Sequence, residues 1–276
     1  MRTSFAVAVA GVIAALATTV FGDQNFVGPS ASYTDAIEDI DPGLPTAGGT
    51  LDIVGMEVSN NLTDIAFKLT VNGNVTSPDW AKYMIGIATQ KTDGTLTGNG
   101  WGRPINLSYD NDPFAAQVKG MNHWVGSWVD GSSQKPIGGS ELYTYNNGSF
   151  TWDANGKSWD GGNPYPWPYT VTPGGAQSTV EWSFPLALFS LVPGDEIYFD
   201  AFSSGGGGGD SAIDSLANPN VSITGWGGPY TSYTTALGGP GINAYTVAVP
   251  EPSTVAAVGL AGAAIAGRLL RRRRAA

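Results

Sequence analysis

Ile65-Ala66-Phe67-Lys68-Leu69-Thr70-Val71 alternates large apolar side chains with small or polar ones, so Ile65, Phe67, Leu69 and Val71 share one face of an extended strand. Upstream, Val54, Met56 and Val58 alternate in the same way, and Asn60-Asn61 between the runs is a turn signal. Together they predict a hairpin with one buried face. Asp79-Trp80 then leads into Tyr83-Met84-Ile85-Gly86-Ile87, whose continuous apolar character predicts a strand at the centre of a sheet.

The pattern continues downstream. In His123-Trp124-Val125-Gly126-Ser127-Trp128-Val129 a strand places Trp124, Gly126 and Trp128 on one face and Val125 and Val129 on the other. Asn146-Asn147-Gly148 separates two further apolar runs and predicts a tight hairpin, because Asn-Gly tolerates positive φ. Val180, Trp182 and Phe184 alternate as a strand; residues 185–191 read as one helical turn opened by Pro185; Pro193-Gly194-Asp195 turns the chain into a strand at 197–202. A last strand is expected over 242–249. Residues 25–50 and the Pro/Gly/aromatic stretch 159–175 read as loop, and the five glycines 205–209 as flexible loop. About eight strands in hairpin order with little helix predict an all-β fold, an antiparallel, jelly-roll-like β-sandwich.

Both ends carry address signals. Met1-Arg2 and the apolar run 5–20 form a secretory signal peptide; cleavage after Gly22 is preferred over the alternative at Ala15-Leu16-Ala17, because polar sequence begins at Asp23. At the other end, Val249-Pro250-Glu251-Pro252-Ser253 is an extended hinge, since its prolines lack N–H groups. Residues 254–270 are apolar apart from Arg268 and reach roughly 25 Å as a helix, close to the minimum bilayer span. Arg271, Arg272, Arg273 and Arg274 then mark the cytoplasmic side, and Arg268 can snorkel. This divides the chain into a signal peptide (1–22), a β-sandwich ectodomain (23–249) and a sorting tail (250–276).

Hinge, short span and arginine cluster, in that order at the C-terminus, resemble the PEP-CTERM sorting signal of exopolysaccharide-associated bacterial proteins. The resemblance implies recognition by an exosortase-type membrane protease, removal of the tail near residues 250–253, and transfer to the cell surface or extracellular matrix after transient anchoring in the inner membrane. The competing reading is a C-terminal anchor that is never cleaved. A second resemblance rests on patterning. Residues 51–87, the strand near Val180 and the Gly194-Asp195 turn look like the β-sandwich of DOMON-like proteins and type 9 carbohydrate-binding modules, which implies a sugar- or cofactor-binding sandwich. Haem is not carried over, because His123 is the one histidine in the chain and axial ligation needs more.

Composition narrows the chemistry. The ectodomain holds 7 basic and 22 acidic residues, a net charge of −15, which makes it a poor partner for nucleic acid. With no cysteine in an exported chain, the fold rests on its core rather than on disulfides, and thiolate catalysis is excluded. No Gly-x-Ser-x-Gly elbow accompanies His123, which beside two tryptophans reads as structural, and paired carboxylates alone leave a glycan-active hydrolase as an alternative. Asp110 and Asp112, with Asp210 and Asp214, place oxygen ligands at short spacing on expected loops and are calcium candidates. Among nine tryptophans, Trp80, Trp124, Trp128 and Trp182 read as core anchors, whereas Trp159, Tyr165, Trp167 and Tyr169 are candidates for stacking on pyranose rings. The expectation is an exported, non-enzymatic sandwich that binds extracellular polysaccharide; the alternative is a structural surface protein with no defined ligand.

Overall fold

The computed structural model describes residues 30–40, 49–76, 80–107, 120–129, 138–152, 169–217, 221–231 and 243–249. The chain begins with β1 (Ser30–Thr34), β2 (Ile53–Asn60) and β3 (Asp64–Asn72) in one sheet and crosses to a second for β4 (Lys82–Ala88). After the short β5 (Ile105–Asn106), the second sheet gains β6 (His123–Trp128), β7 (Gly139–Asn146) and β8 (Ser149–Trp152). The chain returns to the first sheet for β9 (Tyr169–Thr172) and β10 (Gln177–Pro185), then crosses again through a 3-10 turn, Leu186–Phe189, to β11 (Glu196–Ser204) and β12 (Ala212–Ser215). β13 (Tyr230–Thr231) pairs in parallel with β5, and β14 (Asn243–Thr246) returns to β11. The sheet orders are β1-β2-β3-β10-β9 and β12-β11-β4-β6-β7-β8. Both crossings from the first sheet to the second therefore leave from neighbours, β3 and β10, and land on neighbours, β4 and β11. Among the described residues there is no α-helix, and no helix long and apolar enough to cross a membrane; the expected span at 254–270 lies outside them.

The two sheets share one hydrophobic core, the layered arrangement of a β-sandwich. Phe67, Trp182 and Phe184 from the first sheet meet Tyr83, Val125 and Phe199 from the second, and the Phe67 and Phe199 rings contact edge-to-face at 5.9 Å. The outer face of the second sheet carries a further cluster. Met84, Trp124 and Phe202 are covered there by Met121, Leu107, Val221 and Tyr230 from the long connections, and Trp124 stacks on Phe202 at 5.8 Å. Burial on both faces is why β4 and β11 read as continuous apolar runs. On β6 the division is as expected: Val125 and Val129 join the inter-sheet core, while Trp124 faces outward into the covering cluster.

The hairpins form as read. β2 and β3 pair across a short turn at Asn61, and β7 and β8 across Asn147 (φ 50°) and Gly148 (φ 87°), the positive φ values of a primed turn. One detail of phase differs. The β2–β3 register shifts between Ile53 and Gly55, so Ile53 is fully buried and Val54 only half-buried. Gly55 is required beside this bulge, since a Cβ there would sit 2.4 Å from the Tyr33 carbonyl oxygen.

Three stretches expected to be loop contain strands instead. β1 lies within 25–50, β9 within 159–175, and Asp214 belongs to β12. β1 and β9 edge the first sheet and β12 the second, and their apolar pattern is too short to separate from loop: β9 alternates over four residues only, and two of the four buried residues of β12 are polar. The glycine run is a closed turn rather than an unattached loop: the Gly207 N–H donates to Asp210 Oδ2 at 2.7 Å, and Gly205 packs against the Trp226 ring. Pro185 ends β10 as the N-cap of the 3-10 turn, one residue before its expected place in the helix.

The C-terminal exit is clamped. Asn60 accepts hydrogen bonds on Oδ1 from the Tyr245 hydroxyl (2.6 Å) and the Ala248 N–H (2.8 Å), and its Nδ2 donates to the Ala248 carbonyl (3.3 Å). Val247 exchanges backbone bonds with Gly194 and Asp195. The first residue of the sorting hinge, Val249, is 67% exposed.

Candidate functional site

Two constellations of polar side chains stand out, and neither coincides with the sites expected from spacing. The first is a cleft of about 590 Å³ at one end of the sandwich. Its wall is the start of β6 and the end of β7, represented by His123 and by Thr144, Tyr145 and Asn146; the β7–β8 turn adds Asn147 and Gly148. Thr92, Asp93 and Gly94 form the opposite rim, and the 3-10 turn contributes Leu188, Phe189 and Ser190.

Packing holds this cleft in shape. Asn122, fully buried, ties the rim to β6: its Nδ2 donates to the hydroxyls of Thr89 and Thr92, each at 2.9 Å, and its Oδ1 accepts the Thr89 N–H at 3.1 Å. Gly94 and Gly120 let the rim lie against the chain entering β6, where Thr95 and Met121 form an isolated bridge; a Cβ on Gly94 would approach the Gly120 carbonyl oxygen to 2.4 Å. The His123 ring meets Phe189 edge-on at 4.8 Å, and its Nδ1 lies 3.2 Å from the Thr144 hydroxyl. Burial lowers its pKa to about 4, so the imidazole is neutral at physiological pH.

The second constellation is acidic. Asp35 and Asp39, in the loop after β1, and Asp214 on β12 each bring a carboxylate oxygen within 4.8 Å of the others. Asp214 is held by the Ile53 N–H (2.6 Å) and the Ser215 N–H (2.8 Å). Asp52 anchors the loop by accepting the Glu38 N–H and the Asn72 side-chain N–H. Among the described residues no N–H or O–H group reaches either oxygen of Asp39 or Oδ2 of Asp35, and no cation pairs with the three. Burial is the main cause of raised pKa values here: Asp35 to about 9, with Asp214 and Asp39 adding repulsion, Asp39 to about 6, and Asp214 well above the usual carboxylate range. Chemically, such a group either retains protons or surrounds a hard cation with oxygen ligands.

The expected site residues fall differently. Asp110 and Asp112 lie outside the described residues, as do Trp159, Tyr165, Trp167 and the sorting residues 250–276. Asp214 joins Asp35 and Asp39, whereas Asp210 is outside that group and closes the glycine turn near Arg103. Tyr169 is 6% exposed, packs against Trp182 at 6.2 Å and donates to the Trp128 carbonyl at 3.2 Å; its ring is a core element with no free face for a sugar. The Pro/Gly/aromatic composition around it reads as loop, but the Tyr169–Trp182 register of β9 with β10 turns it inward. Trp124 and Trp182 are fully buried, and Trp80 packs against the core edge, with its ring 6.1 Å from Trp226.

The described fold thus defines an all-β protein of two antiparallel sheets whose last described residue, Val249, is exposed just before the C-terminal segment. That segment identifies its sorting. Residues 248–274 match the PEP-CTERM protein-sorting motif, which implies export, a membrane-anchored sorting signal and processing by exosortase, a membrane protein. No curated protein matches the chain.

Proposed function

We propose that this chain is an exported surface or matrix protein whose sandwich binds extracellular polysaccharide without catalysing a reaction. The observation that carries the proposal is the junction of a match to a sorting motif with a clamped, two-sheet domain that presents a polar cleft. In this reading residues 254–270 cross the inner membrane only until exosortase acts near residues 250–253, and the acidic body is left at the cell surface. The two-sheet architecture is compatible with the resemblance to DOMON-like proteins and type 9 carbohydrate-binding modules, and with a jelly-roll-like path.

The test is a glycan array probed with the full chain in detergent, beside a Trp159→Ala, Trp167→Ala double variant. Binding above an inert control supports the proposal. Its absence across bacterial exopolysaccharide fragments favours a structural surface protein with no ligand, and turnover of any fragment favours the hydrolase.

A further inference from the structure

Resting on the polysaccharide-binding reading, we infer that the cleft around His123 is the sugar subsite and takes one or two uncharged pyranose units. Its volume of about 590 Å³ falls within the range of small-ligand pockets and is too small for a folded partner.

The lining fits a polyol and little else. Thr92, Thr144, Asn146 and Asn147 offer hydroxyls and amides that both donate and accept, as sugar hydroxyls do, and Asp93 adds a carboxylate, a strong acceptor for vicinal hydroxyls. Tyr145, partly exposed, supplies aromatic surface for the C–H face of a pyranose, while the buried Phe189 backs the His123 ring. Among the described lining residues there is no lysine or arginine, and His123 is uncharged, so these residues offer no positive charge to an anionic sugar or a phosphate. An apolar ligand would strand the amides and hydroxyls.

The cleft is also preformed. Asn122 fixes one rim, and the Asn147-Gly148 turn fixes the other in a backbone conformation those residues prefer, so binding spends little on ordering the site.

His123 is the one histidine in the chain, which makes its ring C–H resonances a unique reporter inside the cleft. The experiment titrates the full chain, in detergent micelles, with methyl glucoside, galactoside and mannoside, their tetrasaccharides, and glucuronate as the anionic control. The expected result is a saturable shift of the His123 signals with at least one neutral sugar and roughly tenfold or weaker binding of glucuronate. Thr144→Val and Asn147→Gly, the second compatible with positive φ, are each expected to weaken binding about five- to tenfold. A sugar that binds while His123 and both variants are unaffected overturns this site and leaves the polysaccharide reading standing. No binding by any sugar overturns both.

Discussion

The backbone N–H of Ile53 donates to Asp214 Oδ2 at 2.6 Å, joining the first sheet to the second at the β2 bulge. The Tyr83 hydroxyl to the Thr50 carbonyl (2.5 Å) and Ser203 Oγ to the Leu51 carbonyl secure the same segment. Removing the Asp214 acceptor strands two buried N–H groups, those of Ile53 and Ser215. Asp214→Ala is therefore expected to cost roughly 2–4 kcal/mol in urea unfolding at pH 5. A cost under about 1 kcal/mol would show that the inter-sheet bond is dispensable.

Stability should fall as pH rises. Asp200 is fully buried, accepts Ser215 Oγ (2.6 Å) and the Ala217 N–H (2.9 Å), and is pushed by burial from 3.8 to about 8; Asp35 is pushed to about 9. Above pH 4 the unfolded chain releases these protons while the folded one keeps them, so the folded state binds more protons and loses ground until about pH 9. In chelating buffer the melting temperature is expected to drop by roughly 5 °C or more from pH 5 to pH 9. Asp35→Asn should flatten the profile, and a curve that rises with pH would contradict it.

Asn122→Ala removes the tie between β6 and the cleft rim. The buried Thr89 hydroxyl and N–H lose their partner, for an expected cost of about 1–3 kcal/mol. Hydrogen exchange at residues 89–94 should accelerate well beyond the global change. Uniform acceleration across the sheet would assign Asn122 a general packing role instead.

Gly126 lies under Trp101, and a Cβ there would come 2.4 Å from the indole. Gly126→Ala is expected to displace that ring from Trp128 and from its hydrogen bond to Glu141 (2.9 Å), costing about 1–3 kcal/mol. Intrinsic fluorescence would register the displacement as a red shift.

The sorting motif predicts that the mature protein lacks Arg271, Arg272, Arg273 and Arg274 in cells with an active exosortase. Intact-mass measurement of surface-extracted protein checks this. Retention of all four would identify an uncleaved anchor.

The central strands were readable because each has to bury a face: β3, β4, β6, β10 and β11 carry their burial in their spacing. Edge strands carry no such obligation. Ser30-Ala31-Ser32-Tyr33-Thr34 offers only Ala31 and Tyr33 to the core edge, which no local pattern separates from loop. The acid group was unreadable for another reason, since Asp35 and Asp214 meet only through the path of the two sheets. In the cleft, residues near positions 92, 123, 145 and 189 converge in the same way, and the sequence showed only that His123 lacked a catalytic companion.

Asn60 belongs to the first sheet, yet it grips the chain just before the sorting hinge. For a protein held by its C-terminus, that grip works as strain relief. A pull on the tether is passed through Ala248 to one sheet and through Val247 and the Gly194-Asp195 turn to the other, so tension is divided before it reaches β14. Severing the chain beyond Val249 would release that tension and leave every described strand pairing in place.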